Sequence, residues 1–273
     1  MRRRVPTIEM SEQYAHGGMA DRLIRIGILT PHAAPGPEAE FPAMAPGRIR
    51  TRVRRIAADV AGVRVRTNPP APTEVRRLTE PPLLEVAADS LAAWPADVVG
   101  YASTSSAYVI GFDDEEVLIA RLSRRMGIPV ASTCASAVLA LRILEVERVA
   151  LVAPPWFDGQ MNKLGAAYFR SQGLRVVSSE SAELPRDPRR IEPSAVYEWT
   201  LRHVPDDADA VFIGGNGFRA AGAIEALEAR LERSVLTSNQ VLLWSLLTQS
   251  GADFQVSGYG QLFTRTSPPR DRS

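Results

Sequence analysis

A unit of strand, polar turn and helix recurs along this chain in two matching sets. Residues 97–104, DVVGYAST, correspond to residues 209–216, DAVFIGGN. Further along, residues 128–134, IPVASTC, correspond in the same way to residues 233–239, RSVLTSN. Chance alternation within a single α/β domain is the alternative, but a repeat over two consecutive units favours a duplicated lobe. The repeat therefore predicts two lobes of one design.

Short apolar runs alternate with stretches of helical period throughout the sequence, which is typical of parallel α/β sheets. We predict strands at residues 23–29, 98–101, 130–131, 149–152, 174–177, 210–213 and 235–236, and helices at residues 113–126, 136–144, 161–172, 193–203, 221–231 and 240–249. The proline-rich segments 31–46 and 67–82 predict long loops.

These elements predict an α/β fold of two pseudo-symmetric lobes, each with a mainly parallel four-stranded sheet flanked by helices. The expected parts are a flexible tail at 1–20, an N-terminal lobe at 21–131, a C-terminal lobe at 132–240, and a closing helix with a flexible tail at 241–273. Ligands of open α/β sheets bind beyond the carboxyl ends of the strands, so we expect an active-site cleft between the lobes.

Charge and cysteine content limit the partners and ligands expected for this chain. The chain has 32 Lys and Arg against 31 Asp and Glu, and no apolar run long enough for a membrane span, so neither nucleic acid nor a membrane is an expected partner. One cysteine excludes an internal disulfide, and no Cys or His spacing suggests a metal site. We expect a cytoplasmic homo-oligomer that binds a small carboxylate-bearing molecule and needs no cofactor.

The two turns that follow the matching strands are the candidate site. Ser103, Thr104 and Ser105 offer hydroxyl and backbone donors to an anion, although such residues also cap helices. In the second turn, Gly214 to Gly217 include three glycines and Asn216, a composition that lets a backbone approach a ligand closely. A tight connection without a ligand is the alternative for this turn.

Five segments carry a resemblance to a known family. They are IGILTPHAAPGPEAEFPAMAP (26–46), YASTSSAY (101–108), VALVAPPWF (149–157), FIGGNGFR (212–219) and LTSNQVLLW (236–244). Together they resemble the aspartate/glutamate racemase superfamily, in the branch of maleate cis-trans isomerases and arylmalonate decarboxylases, over about residues 23–251. The GGNGFR turn further resembles racemase-like proteins encoded with ectoine-utilisation genes.

The resemblance implies chemistry that this chain only partly keeps. Racemases and maleate isomerases of this family carry one cysteine in each turn, and those positions fall on Ser103 and Gly215. Arylmalonate decarboxylases keep only the second cysteine, which is also absent here. The carboxylate-binding residues implied by the resemblance are Thr104 and Ser105, with Pro31 and either Trp156 or Phe157 near them. We expect Gly215, Asn216 and Gly217 of the second turn to bind the substrate as well. Ala34 stands where maleate isomerases have an asparagine.

Three residues are candidates for the missing acid or base. Ser103 lies at the first thiol position, and Cys134 begins a helix, whose N-terminus would lower the thiol pKa. His32 lies in the first loop and is a candidate base near neutral pH. The alternatives are a small core residue for Cys134 and an exposed loop residue for His32. We therefore expect a cofactor-independent isomerase or racemase-like enzyme acting on a maleate-like or ectoine-derived compound. A decarboxylase and a non-catalytic binding protein are the alternatives.

Overall fold

Two four-stranded parallel sheets form the framework of the protein. The computed structural model describes residues 23–56 and 71–264, so the predicted tail at 1–20 and the last residues of the chain lie outside it. The first sheet has the order β2-β1-β3-β4 and the second β6-β5-β7-β8. Their bounds are β1 (Ile24–Thr30), β2 (Ile49–Arg55), β3 (Val98–Tyr101), β4 (Val130–Ser132), β5 (Arg148–Ala153), β6 (Arg175–Ser181), β7 (Ala210–Ile213) and β8 (Ser234–Thr237). The identical order confirms the predicted two-lobe α/β fold.

Ten helices of the described residues flank these sheets. They are α1 (Pro37–Met44), α2 (Pro72–Arg77), α3 (Leu83–Ala92), α4 (Thr104–Ile110), α5 (Phe112–Met126), α6 (Thr133–Ile143), α7 (Gly159–Ser171), α8 (Pro193–His203), α9 (Ile224–Leu231) and α10 (Ser238–Ser250). No helix in the described ranges combines the length and apolar character of a membrane span.

The prediction of uninterrupted loops at 31–46 and 67–82 is wrong. Helix α1 lies within the first segment and α2 within the part of the second that the structure describes. Each begins with a proline, whose fixed φ suits the first helical turn, where its missing N–H has no partner to lose. Proline content alone therefore did not distinguish a loop from a helix start.

An ion pair occurs at the same place in both lobes. Arg25 on β1 donates to Asp97 just before β3, with its Nη2 atom 2.8 Å from Oδ1. Arg148 on β5 donates in the same way to Asp209 just before β7, at 2.7 Å. Both carboxylates also accept the backbone N–H of their arginine, at 2.8 Å. The duplication therefore extends to side-chain hydrogen bonds.

The last helix of each lobe packs against the other lobe. Helix α6 follows β4 but places Cys134, Ala137 and Leu141 in the core that contains the strands of the second sheet. Helix α10 follows β8 but packs Leu242 and Leu246 into the core of the first sheet. A Cβ atom on Gly100 would lie 3.0 Å from Leu246 Cδ1, so the glycine permits this close approach. The exchange brings the N-termini of both helices to the junction between the lobes.

Candidate functional site

The turns after β3 and β7 are in direct contact, as the repeat predicts. The backbone N–H of Gly215 donates to Thr104 Oγ1 at 3.0 Å. The same hydroxyl lies 3.2 Å from Asn216 Oδ1, to which it donates. Thr104 and Asn216 are both completely buried. The carboxyl ends of the two sheets therefore meet at one junction.

Asn216 is the centre of a buried hydrogen-bond network at this junction. Its Nδ2 atom donates to Thr133 Oγ1 and to Asn239 Oδ1, both at 3.0 Å. Asn239 Nδ2 donates in return to the backbone carbonyl of Asn216 at 3.0 Å. Thr104, Thr133, Asn216 and Asn239 follow β3, β4, β7 and β8 respectively. The network therefore ties together four strand ends from both lobes.

Ser103 and Ser105 have different surroundings although they are two residues apart. Ser103 caps α4: its Oγ accepts from Ser106 N at 3.3 Å and donates to Ser106 Oγ at 2.7 Å. The capping alternative therefore describes its geometry. The Ser105 hydroxyl makes no hydrogen bond to any described residue, and Ser105 is 9% exposed. Of the three hydroxyls in this turn, that of Ser105 is the one left for a ligand.

Gly215 has neither the backbone conformation nor the space for a side chain. Its φ is +93°, a region that residues other than glycine rarely adopt. A Cβ atom there would lie 2.8 Å from Pro154 Cγ. The position that the resemblance assigns to the second thiol is therefore closed to a side chain in this backbone.

His32 and Trp156 converge on Gly217. A Cβ atom on Gly217 would lie 3.2 Å from His32 Nδ1 and 3.6 Å from Trp156 Cζ2, so the absent side chain leaves room for both rings. Trp156 is buried, whereas Pro31 and His32 are partly buried. The backbone of Gly36, in the same first-lobe loop, lies against the Asn216 carbonyl. The first loop thus closes over the second-lobe turn.

The electrostatic environment keeps His32 neutral near pH 7. Burial lowers the pKa of the imidazole to about 4, with a further lowering by the positive charge of Arg55 and an opposing effect of Glu38. Arg55 and Glu38 pair with each other, with Arg55 Nη2 2.5 Å from Glu38 Oε1. In the free protein the imidazole is therefore a weaker base than the sequence predicts.

Cys134 does not have the properties of a reactive thiol. It is completely buried, and its Sγ atom lies 3.8 Å from the Thr104 carbonyl. Burial, together with the negative charge of Glu115, raises its pKa well above the ordinary value. The prediction of a lowered pKa is wrong because desolvation outweighs the field of the helix N-terminus.

Glu40 contacts the buried network at the junction, although no sequence pattern indicated it. Its Oε2 atom accepts from Asn239 Nδ2 at 2.6 Å, and Oε1 accepts from Ala221 N at 2.9 Å. Burial raises its pKa to about 7, against the opposing hydrogen bonds and the positive charge of Arg219. The residue was missed because its segment was interpreted as a loop. The repeat did indicate Asn239 as a candidate, because it aligns this residue with Cys134 in the turn after β4.

Across residues 23–56 and 71–264, no three His, Cys, Asp or Glu side chains are grouped so that they could hold a metal ion. The titratable side chains near the junction include His32, Glu40, Cys134 and Tyr108, whose hydroxyl lies beside Gly214.

Comparison with solved structures gives the same fold. The maleate isomerase Iso from Pseudomonas putida S16 superposes with a TM-score of 0.76 at 22% identity, covering 89% of this chain and 98% of that one. A crystal structure of arylmalonate decarboxylase superposes with a TM-score of 0.71 at 20% identity, covering 89% and 100%. A Nocardia farcinica maleate cis-trans isomerase with a covalently bound succinylcysteine intermediate gives 0.75 at 20%, covering 90% and 100%.

Sequence comparison identifies a related protein and a matching family model. The arylmalonate decarboxylase of Bordetella bronchiseptica is 25% identical over 173 residues, which cover 62% of this chain and 71% of that protein. The family model of arylmalonate decarboxylases matches residues 83–263, which include both turns, the buried network and both exchanged helices. This chain belongs to the arylmalonate decarboxylase family, within the branch of the aspartate/glutamate racemase superfamily that also contains the maleate isomerases.

Proposed function

We propose that this protein is a cofactor-independent decarboxylase that acts on a small carboxylate at the junction of the two lobes, without a thiol. The observation that carries the proposal is the contact between the two turns, with Gly215 N 3.0 Å from Thr104 Oγ1, beside an imidazole that faces Gly217. Membership of the arylmalonate decarboxylase family supports the reaction class.

The residues on the two sides of the junction favour decarboxylation over isomerisation or racemisation. Racemisation needs a proton-transfer group on each face of the reacting carbon. On the second-lobe side Gly215 offers no side chain, and Pro154 occupies the space for one. Decarboxylation needs a single proton donor, which His32 can supply from one side.

The proposed reaction balances with one proton. The bond from the α-carbon to the departing carboxylate breaks, carbon dioxide leaves, and the electron pair remains as an enediolate on the second carboxyl group. Protonated His32 then donates its proton to the α-carbon and regains one from water. In this proposal the Ser105 hydroxyl and the backbone of Gly217 stabilise the enediolate charge.

Substrate binding would change the protonation of His32. Its pKa of about 4 reflects burial and the neighbouring Arg55 in the free protein. A bound dianion favours the imidazolium form and raises this pKa, because opposite charges stabilise each other strongly in a buried site. The donor would thus become charged only when the substrate is present.

The test is turnover in deuterated water with phenylmalonate, maleate, ectoine and N-acetyl-diaminobutyrate as candidate substrates. We expect one carbon dioxide and one deuterium at the α-carbon per turnover of a malonate-type substrate. His32→Gln should lower kcat/KM at least a hundredfold, and Ser105→Ala by about tenfold. His203→Gln is the matched control, because His203 stacks on Trp199 in α8 and should leave turnover at the wild-type rate.

A non-catalytic binding protein is the second candidate. The two positions that the resemblance assigns to thiols support it, because neither carries a free nucleophile: Ser103 caps α4, and Gly215 excludes a side chain. Saturable binding without carbon dioxide release or deuterium uptake would favour this candidate. Deuterium in recovered substrate, or conversion of maleate to fumarate, would instead indicate a racemase or isomerase.

A further inference from the structure

A cavity lies beside α1, lined in part by Glu40, which also accepts a hydrogen bond from Asn239. Its volume is about 320 Å³, at the lower end of the range for small-molecule sites. The residues that give it chemical character are Glu40, Ile191, Glu192, Pro193, Arg219 and Tyr259. Ser105, Gly217 and His32, the residues of the proposed reaction, do not line it.

The cavity carries opposite charges that do not neutralise each other. Glu40 is held by Asn239 Nδ2 and Ala221 N, and it forms no ion pair with a described residue. Arg219 has one described hydrogen bond, from Nη2 to the Pro188 carbonyl at 3.4 Å, so most of its guanidinium donors are unused. Arg219 is close enough to lower the pKa of Glu40 but not in ion-pair contact with it.

Burying these unpaired charges costs free energy unless a ligand pairs with them. A carboxyl group buried without a counter-charge loses hydration, and here that loss raises the Glu40 pKa to about 7. A guanidinium recognises a carboxylate through paired N–H donors, and carboxylates accept from ammonium or amidinium groups. A ligand that carries both charges would satisfy both sides of the cavity together.

We propose that this cavity binds a small zwitterion, with its carboxylate on Arg219 and its cationic nitrogen beside Glu40 and Glu192. The inference goes beyond the proposed decarboxylation, since it concerns a different set of residues. Because Glu40 also holds Asn239, an occupant would contact the network that joins the lobes.

The test is calorimetric titration of the full chain with three pairs of probes. Glycine, β-alanine and 4-aminobutyrate provide zwitterions of increasing charge separation, and acetate, propionate and butyrate provide the carboxylate alone. Butylamine provides the cation alone. We expect at least one zwitterion to bind at least tenfold more tightly than its matching acid and than butylamine.

Variants assign the binding to this cavity. Arg219→Gln and Glu192→Gln should each weaken binding of the best zwitterion at least tenfold. Arg170→Gln is the matched control, because Arg170 Nη2 likewise makes one 3.4 Å bond to a backbone carbonyl, that of Val176, and should retain wild-type affinity.

Four outcomes would overturn the proposal. They are the failure of all three zwitterions to bind, equal affinity for zwitterion and acid, wild-type affinity in Arg219→Gln, and loss of binding in Ser105→Ala, which would place the probe at the inter-lobe turns. None of these results bears on carbon dioxide release, so the failure of this inference can be told apart from failure of the proposed function.

Discussion

Substitution of Gly215 by alanine is the sharpest test of the closed second turn. The new side chain meets two separate penalties. A non-glycine residue at φ +93° is strained by about 1–2 kcal/mol. The added Cβ also lies 2.8 Å from Pro154 Cγ, and such overpacking costs about 1–3 kcal/mol. We therefore expect Gly215→Ala to lower the free energy of unfolding by about 2–5 kcal/mol.

A control substitution at Gly47 measures the backbone penalty without the steric one. Gly47 has φ +72°, and a Cβ atom there would meet nothing within 4 Å. Gly47→Ala should therefore lose only the backbone contribution, about 1–2 kcal/mol. In a double-mutant cycle, Pro154→Ala should recover at least about 1 kcal/mol in the Gly215→Ala background, because the two side chains no longer collide.

Urea unfolding followed by tryptophan fluorescence measures all four variants against the wild type. The reasoning would be refuted if Gly215→Ala were no more destabilising than Gly47→Ala. A zero coupling energy between Gly215 and Pro154 would equally remove the steric part. Either result would mean that Pro154 does not close this position, and that only the backbone conformation of Gly215 opposes a side chain there.

Three further predictions concern stability. Asp158 caps α7 by accepting from Met161 N at 2.8 Å, so Asp158→Ala should destabilise the protein by about 1 kcal/mol in urea unfolding, and an unchanged midpoint would contradict the cap. Burial raises the Glu115 pKa from 4.5 to about 7, so its stabilising effect is full below pH 4.5 and is lost as the pH rises through 7. Glu115→Gln should therefore remove up to about 3 kcal/mol of the fall in stability between pH 5 and pH 8, and parallel pH profiles would count against this. Asn216→Ala leaves buried partners without hydrogen bonds and should lose at least about 2 kcal/mol in thermal unfolding, clearly more than Asn162→Ala at a partly buried bond to Ser181.

The sequence predicted those elements whose pattern is local. Strands β3 and β7 and helix α8 have the predicted bounds, because their apolar runs and flanking polar residues are unambiguous. The repeat also placed the two turns at one junction. Helix α1 was missed because prolines obscured its period, and with it Glu40. Helix α3 was not predicted although Leu84, Ala88 and Leu91 are buried at helical spacing.

Features that depend on tertiary contacts could not be predicted from the sequence. A hydrophobic pattern shows that α6 and α10 have apolar faces, but not that these faces lie in the core of the other lobe. The Cys134 pKa was predicted in the wrong direction for the same reason. Its position at a helix N-terminus is local, whereas its burial results from the exchanged helix.

The exchange of helices also explains why the polar residues at the junction hold the two lobes together. Because α6 and α10 cross between the lobes, Thr133 and Asn239 at their N-termini meet Asn216 at the junction. Thr104 is drawn into the same network by Gly215 and Asn216, although the resemblance assigns it to the substrate. The groups that hold the lobes together are therefore not available to bind a carboxylate without breaking a buried hydrogen bond. The proposed function therefore assigns recognition and proton transfer to groups outside the network, Ser105 and His32.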